Sequence, residues 1–166
     1  GQFCTNPGMV ILLAGENTDA FVASVSEQFS AAPVGTFLSE AVQNSFLSGI
    51  SALKDAGAEL IAGGEAGGGC GFSCQNTLLK VDGASFLENP EALQAEAFGN
   101  GSLFVIAADA AQAEQIAESL EGNLTGCIYS ATDGSDDTIY DQIAPALRTK
   151  VGRLLDDKMP TGVAVS

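Results

Sequence analysis

The chain has 166 residues, of which 46% are hydrophobic and 16% charged, a composition typical of one globular domain over residues 1–166. Its 21 acidic and 6 basic residues give a net charge of −15, which disfavours nucleic acids and anionic membrane surfaces as partners. The chain contains no histidine, so it cannot form a Ser-His-Asp triad or a Cys-His pair by itself.

The first half of the sequence predicts a strand, two helices and a second strand. The apolar run at 10–13 has the length of a buried strand. Apolar residues then recur at helical spacing over 19–30, with Thr18 as the expected N-cap, and again over 37–56, where Gly57 is expected to end the helix. A short strand over 58–62 precedes a glycine-rich surface loop.

The second half predicts strands and helices in alternation, beginning with a strand over 77–81 and a turn or short helix at Asn89-Pro90. A strand over 103–107 is followed by a helix from Asp109, its expected N-cap, to about Leu120. A strand over 126–130, a helix from Asp136 or Asp137 and a strand over 151–155 complete the chain. This order predicts an α/β fold with a mostly parallel sheet covered by helices.

The four cysteines are expected to be free thiols in the cytoplasm, because the sequence shows no signal-peptide pattern. Cys70 and Cys74 have three residues between them and no second pair follows, which is not the pattern of a zinc site. The aspartates around Asp133 lack the spacing and terminal glutamate of an EF-hand. No metal site is therefore predicted, and two ordinary loop thiols are favoured over a redox disulfide.

Six short motifs, taken together, resemble the aldehyde dehydrogenases in order and spacing. They are QFCTNPG at 2–8, AGAELIAGG at 56–64, TLL at 77–79, EAFG at 96–99, GNLTG at 122–126 and PTGV at 160–163. The first and last look closest to the branch with 2-oxoglutarate semialdehyde (2,5-dioxopentanoate) dehydrogenases and NADP-dependent fatty aldehyde dehydrogenases. The resemblance implies the fold of the aldehyde dehydrogenase catalytic domain.

The resemblance also implies a mechanism in which Cys4 is the catalytic nucleophile. Its thiolate would attack the aldehyde to give a thiohemiacetal, hydride would pass to NADP or NAD, and water would hydrolyse the thioester. In the family a glutamate and water outside this segment handle the protons, so no histidine is needed. The Cys4 N–H is expected to donate to the oxyanion. Glu96 matches the residue that binds the nicotinamide ribose, and Phe98 matches the aromatic beside it.

One departure from the family pattern follows these cofactor-binding residues. The family usually continues the Glu-x-Phe-Gly motif with proline, whereas this chain has Asn100-Gly101. Because proline restricts the backbone, its replacement predicts either a more mobile loop with altered cofactor contacts or a harmless local variant.

The chain is expected to be a fragment that is inactive alone and binds cofactor weakly or not at all. In the family, the cofactor-binding domain, the general-base glutamate and part of the oligomerisation tail lie outside this segment. The parent enzyme is expected to be a homo-oligomer acting on a small-molecule aldehyde. A non-catalytic scaffold domain of the same fold is the alternative, and the reactivity of Cys4 distinguishes the two. Acyl transfer without a nicotinamide is a third possibility, which Glu96 and Phe98 disfavour.

Overall fold

The computed structural model describes residues 2–159, which form six strands and six helices. The strands are β1 Met9–Leu13, β2 Glu59–Ala62, β3 Thr77–Asp82, β4 Gly101–Ala107, β5 Asn123–Ile128 and β6 Val151–Asp156. The helices are α1 Glu16–Ala31, α2 Glu40–Asp55, α3 Gly83–Glu88, α4 Pro90–Leu93, α5 Ala110–Ser119 and α6 Asp137–Arg148.

The main sheet has four strands in the order β1-β4-β3-β2. Strand β4 is parallel to both β1 and β3, with Met9 opposite Leu103 and Thr77 opposite Gly101. Strand β2 runs antiparallel to β3 at the other edge. The mostly parallel sheet predicted from the sequence is therefore confirmed, although the reversed direction of β2 was not predicted.

The hydrophobic core lies on one face of this sheet, beneath α2, α3 and α5. Strand residues such as Leu79, Leu103 and Val105 meet Phe46 of α2 and Ile116 of α5, and all five are almost completely buried. The opposite face is covered by α1, which has no buried residue. Phe21 of α1, although 47% exposed, stacks on Phe104 of β4 with 5.9 Å between ring centroids.

Most of the helix caps predicted from the sequence lie at the observed ends of the helices. Asp109 caps α5 by accepting a hydrogen bond from the Gln112 N–H at 2.8 Å, as predicted. Gly57 follows α2 with φ +111°, a conformation that favours glycine. Thr18, in contrast, is not an N-cap. Helix α1 begins at Glu16, and the Thr18 hydroxyl instead donates to the Leu13 carbonyl.

The third helix and the second sheet were not predicted. Asp82 ends β3 and caps α3 by accepting from the Ser85 N–H at 2.9 Å, a bond that lowers the pKa of the Asp82 carboxyl. Strands β5 and β6 are parallel and form a separate two-stranded sheet. Among residues 2–159, no helix combines the length and hydrophobicity needed to cross a membrane.

Candidate active site

Three chain segments that carry candidate site residues converge at one edge of the main sheet. Because β1, β3 and β4 are parallel, the segments that precede them all lie at the amino ends of the strands. These segments are residues 2–8, 70–76 and 96–100. The fold therefore brings the cysteine motif, the Cys70–Cys74 loop and the Glu96–Phe98 motif to the same edge.

Cys4 lies in an exposed turn that is held from both sides. The Asn6 N–H donates to the Phe3 carbonyl at 3.0 Å, which closes a four-residue turn with Cys4 at its second position. The Cys4 side chain is exposed, whereas the next residue, Thr5, is buried. Cys4 is thus exposed to solvent, while the buried Thr5 anchors the same turn to the protein.

Gln2 connects this turn to the segment that precedes α2. Its side-chain amide donates to the Thr36 carbonyl at 3.1 Å and accepts from the Leu38 N–H at 3.0 Å. The amide thus pairs with two main-chain groups, much as a neighbouring strand would. Gln2 therefore fixes the backbone two residues before the candidate nucleophile.

The turn is also joined to the segment of Glu96 and Phe98. Asn6 donates from its side chain to the Gly99 carbonyl at 3.5 Å. On the following residues, the Ser102 hydroxyl donates to the Pro7 carbonyl at 2.8 Å and the Leu103 N–H donates to the Gly8 carbonyl at 2.9 Å. The predicted nucleophile and the predicted cofactor-binding residues therefore lie on segments in direct hydrogen-bond contact.

Glu96 and Phe98 occupy an irregular segment between α4 and β4. Glu96 is exposed and Phe98 is half-buried. Helix α2 supports this segment through Gly49, where a Cβ atom would lie 2.9 Å from the Cα of Ala97 and 3.3 Å from the Glu96 carbonyl oxygen. The backbone of Glu96 thus approaches α2 so closely that only glycine fits without displacement.

Gly49→Ala is therefore expected to displace Glu96 while leaving the helix intact. Glu96 is predicted to bind the cofactor in the whole protein, so we expect KM for NAD(P) to rise roughly 10-fold or more, because a displacement of about 1 Å at a site can cost up to about 10²-fold. Alanine favours an α-helix over glycine by about 1 kcal/mol, so α2 itself should not be lost.

Gly35→Ala is the matched control for this substitution, because nothing lies within 4 Å of a Cβ at Gly35. Its KM should stay within about two-fold of the wild type. Steady-state kinetics with the cofactor varied, together with thermal unfolding, would separate displacement from instability. Equal KM values for the two variants would contradict the role given to Gly49.

The loop after Phe98, where Asn100 replaces the family's proline, is held by several hydrogen bonds. The Asn100 side chain donates to the Cys74 carbonyl at 2.8 Å and to Asn76 Oδ1 at 2.9 Å. The Asn100 carbonyl in turn accepts from the Thr77 N–H at 2.9 Å. Gly101 is buried as the first residue of β4. Hydrogen bonds from Asn100 therefore restrain the loop at the position where the family usually has the rigid pyrrolidine ring of proline.

The electrostatic surroundings of the cysteines differ. Cys4 and Cys70 are exposed, whereas Cys74 is fully buried beside Gln43, and all of these thiols are free. Burial raises the pKa of the Cys74 thiol, and the hydrogen bond with Gln43 opposes this only in part. Cys74 is therefore a poor source of thiolate. Within residues 2–159, no group of three or more potential ligand side chains is arranged to hold a metal ion.

Several supporting residues could not be identified from the sequence. Gly49 lies in the middle of a helical pattern, and nothing local indicates that the backbone of Ala97 approaches it. Gln2 and Asn6 belong to the cysteine motif, but their partners are distant in the sequence. The motif at 160–163 lies outside the described residues.

Solved structures of aldehyde dehydrogenases share this fold. An aldehyde dehydrogenase from Bacillus cereus superposes with a TM-score of 0.79 at 16% identity, over 100% of this chain and 34% of its own. A betaine aldehyde dehydrogenase from Staphylococcus aureus, in complex with NAD⁺, gives a TM-score of 0.76 at 17% identity, over 99% of this chain and 34% of its own. The chain therefore has the aldehyde dehydrogenase fold predicted from its motifs.

Two curated relatives with higher sequence identity are both alpha-ketoglutaric semialdehyde dehydrogenases. Alpha-ketoglutaric semialdehyde dehydrogenase 2 of Azospirillum brasilense is 34% identical over 99% of this chain, and its counterpart in Acinetobacter baylyi is 33% identical over 100%. The chain spans 31% of the length of each. No protein-family model matches the sequence. The predicted resemblance to the aldehyde dehydrogenase superfamily, and to 2-oxoglutarate semialdehyde dehydrogenases within it, is confirmed along the chain.

Proposed function

We propose that this chain forms the catalytic part of an NAD(P)-dependent aldehyde dehydrogenase, with 2,5-dioxopentanoate as a candidate substrate. The supporting observation is the hydrogen bond from Asn6 to Gly99, which joins the exposed Cys4 turn to the segment of Glu96 and Phe98. Because the chain spans about a third of its curated relatives, the activity is assigned to the whole protein.

In this proposal the Cys4 sulfur adds to the aldehyde carbonyl carbon. The resulting oxyanion needs a hydrogen-bond donor, and the Cys4 N–H makes no hydrogen bond to an acceptor among residues 2–159. A well-aligned donor of this kind contributes roughly 3 kcal/mol to stabilising the transition state. Cys4 would therefore supply both the nucleophile and one oxyanion contact.

The chemical character of the exposed Glu96 and the half-buried Phe98 suits the binding of a dinucleotide cofactor. A carboxylate accepts hydrogen bonds from two adjacent ribose hydroxyls, and an aromatic ring packs beside a nicotinamide ring. A bound NAD(P)⁺ would supply the hydride acceptor. This chain's residues would hold the cofactor only at its reactive end, so most cofactor binding is assigned to the rest of the whole protein.

The remaining parts of the proposal concern location and assembly. We assign the whole protein to the cytoplasm as a homo-oligomer, with no nucleic-acid partner. The cysteines at 4, 70, 74 and 127 are free, as expected in a reducing compartment, and the net charge of −15 repels polyanions. Cell fractionation would test the location of the whole protein, and light scattering would test its oligomeric state.

The test of the proposed activity is spectrophotometric NAD(P)H formation by the whole protein, given 2,5-dioxopentanoate or long-chain aldehydes. We expect turnover that requires both aldehyde and cofactor, with the corresponding acid as product. If no aldehyde produced NAD(P)H above a control without substrate, the dehydrogenase assignment would be wrong. A non-catalytic scaffold domain of the same fold would then be favoured.

A further inference from the structure

The side chain of Gln2 holds the amino side of the Cys4 turn. Its amide donates to the Thr36 carbonyl at 3.1 Å and accepts from the Leu38 N–H at 3.0 Å. Phe3, the residue between Gln2 and Cys4, contributes little packing, because its side chain is 73% exposed. The position of the backbone just before Cys4 therefore depends on the Gln2 amide.

The segment that Gln2 binds is fixed to the hydrophobic core. Phe37 lies between the two partners of Gln2, is only 5% exposed, and packs on Phe46 with 5.3 Å between ring centroids. The Phe37 N–H donates to the Phe72 carbonyl at 2.6 Å, which joins the same segment to the loop at 70–76. The Gln2 amide thus connects an exposed turn to a part of the chain whose close packing resists movement.

The peptide group between Phe3 and Cys4 determines where the Cys4 N–H points. This peptide bond is trans, so the group is planar and its C=O and N–H point in opposite directions. The Phe3 carbonyl accepts from the Asn6 N–H at 3.0 Å across the turn. The Cys4 N–H therefore points away from the turn, and any rotation of this peptide group would change its direction.

From this arrangement we propose that Gln2 is a positioning residue, whose amide keeps the Cys4 N–H aimed at the oxyanion that forms when the Cys4 sulfur adds to a carbonyl carbon. The proposal rests on the proposed function and adds a residue to its site. Two hydrogen bonds from one side chain hold the Gln2 backbone against rotation, because both would lose their geometry if it turned. Without the amide the sulfur stays available, but the oxyanion donor loses its alignment.

The test compares two reactions of Cys4 in the whole protein, only one of which forms an oxyanion. With 4-nitrophenyl acetate, the sulfur bonds to the carbonyl carbon, an oxyanion forms, and 4-nitrophenolate leaves with the electrons of the broken C–O bond. With iodoacetamide, the sulfur displaces iodide from a CH₂ group and no oxyanion forms. A misaligned Cys4 N–H should therefore slow acylation without slowing alkylation.

Gln2→Met keeps the length of the side chain but removes the amide donor and acceptor. We expect acylation of Cys4, read as a burst of 4-nitrophenolate, to slow roughly 10-fold or more, because removing one oxyanion donor costs about 10²–10³-fold. Alkylation of Cys4, read by peptide mass spectrometry, should stay within about two-fold, because it needs no oxyanion donor. Cys4→Ser should show no burst, which would assign the burst to this thiol.

Gln112→Met is the matched control for Gln2→Met. Gln112 is half-buried like Gln2, and its amide oxygen accepts from the Ala108 N–H at 2.8 Å. Ala108 directly follows β4, so this hydrogen bond lies at the carboxyl ends of the parallel strands, opposite the edge that carries Cys4. Gln112→Met should leave both reaction rates within about two-fold, even if it lowers the melting temperature, because distant sites act independently.

The outcomes separate this proposal from the dehydrogenase assignment, because neither reaction uses a nicotinamide cofactor. A Cys4-dependent burst that is unchanged in Gln2→Met would overturn the role of Gln2 alone. Equal slowing of acylation and alkylation in Gln2→Met would also overturn it, since the amide would then support only the fold. Selectively slowed acylation, with no NAD(P)H from any aldehyde, would support the role of Gln2 and contradict the dehydrogenase assignment. No burst in the wild type, or a burst that persists in Cys4→Ser, would contradict both.

Discussion

Replacing Cys4 by serine in the whole protein should reduce aldehyde-dependent NAD(P)H formation by on the order of 10³-fold or more, because loss of a catalytic nucleophile removes the covalent route. A serine hydroxyl is not ionised near neutral pH, and the chain has no histidine to activate it. The turn should persist, since its hydrogen bonds come from Gln2 and Asn6 and none uses the sulfur.

Cys70→Ser is the matched control for Cys4→Ser. Cys70 is also exposed at this edge, but the segment 36–38 separates it from the turn, and its carbonyl accepts from the Thr36 hydroxyl at 2.8 Å. Its turnover should stay within about two-fold of the wild type. Retained turnover in Cys4→Ser, or its loss in Cys70→Ser, would assign the nucleophile elsewhere.

Phe46→Ala should destabilise the fold by about 3–5 kcal/mol, the range for removing a buried aromatic ring from a core. Phe46 is completely buried in α2 and packs on Phe37 with 5.3 Å between ring centroids. It also fills the space beneath the segment of Glu96, because a Cβ at Gly99 would lie 2.5 Å from its ring. The resulting cavity should loosen the predicted cofactor-binding segment as well as the core.

Urea unfolding of this chain measures the stability of Phe46→Ala directly, as a lower midpoint with an unchanged slope. Phe21→Ala is the control, because Phe21 is 47% exposed and its ring is only partly covered by Phe104. We expect it to cost less than about 1.5 kcal/mol, the range for an aromatic pair. If both variants lowered the free energy of unfolding equally, the packing of Phe46 from α2 would not be a main contribution to the stability of the core.

The order of strands and helices could be predicted because each element has its own local pattern. Asp109 illustrates this, because its side chain accepts a hydrogen bond from the N–H of Gln112, only three residues away. A short stretch of sequence is therefore enough to predict the cap. Thr18 is not an N-cap because its hydroxyl donates to the Leu13 carbonyl at the end of β1, and α1 begins at Glu16, three residues before the predicted start at residue 19. Helix α3 did have a local signal, since Asp82 precedes Ser85 at capping distance.

The candidate site was predictable only in part. The roles of Cys4, Glu96 and Phe98 rest on family motifs and stay predictions, whereas the parallel pairing of β1 and β4 explains why their segments meet. The supporting contacts depend on tertiary structure, so no local pattern reveals them. Gly49 is the clearest case, because its role is defined by a backbone from a different part of the chain.

The hydrogen bond from Asn6 to Gly99 has a consequence for the order of folding, because its partners are 93 residues apart in the sequence. Long-range pairings of this kind form late, since a large loop must close first. At synthesis rates of about 5–20 residues per second, the Cys4 thiol exists for roughly 5–20 seconds before Gly99 has been made. The hydrogen bond that joins the Cys4 turn to the segment of Glu96 and Phe98 can therefore form only after that segment has been synthesised.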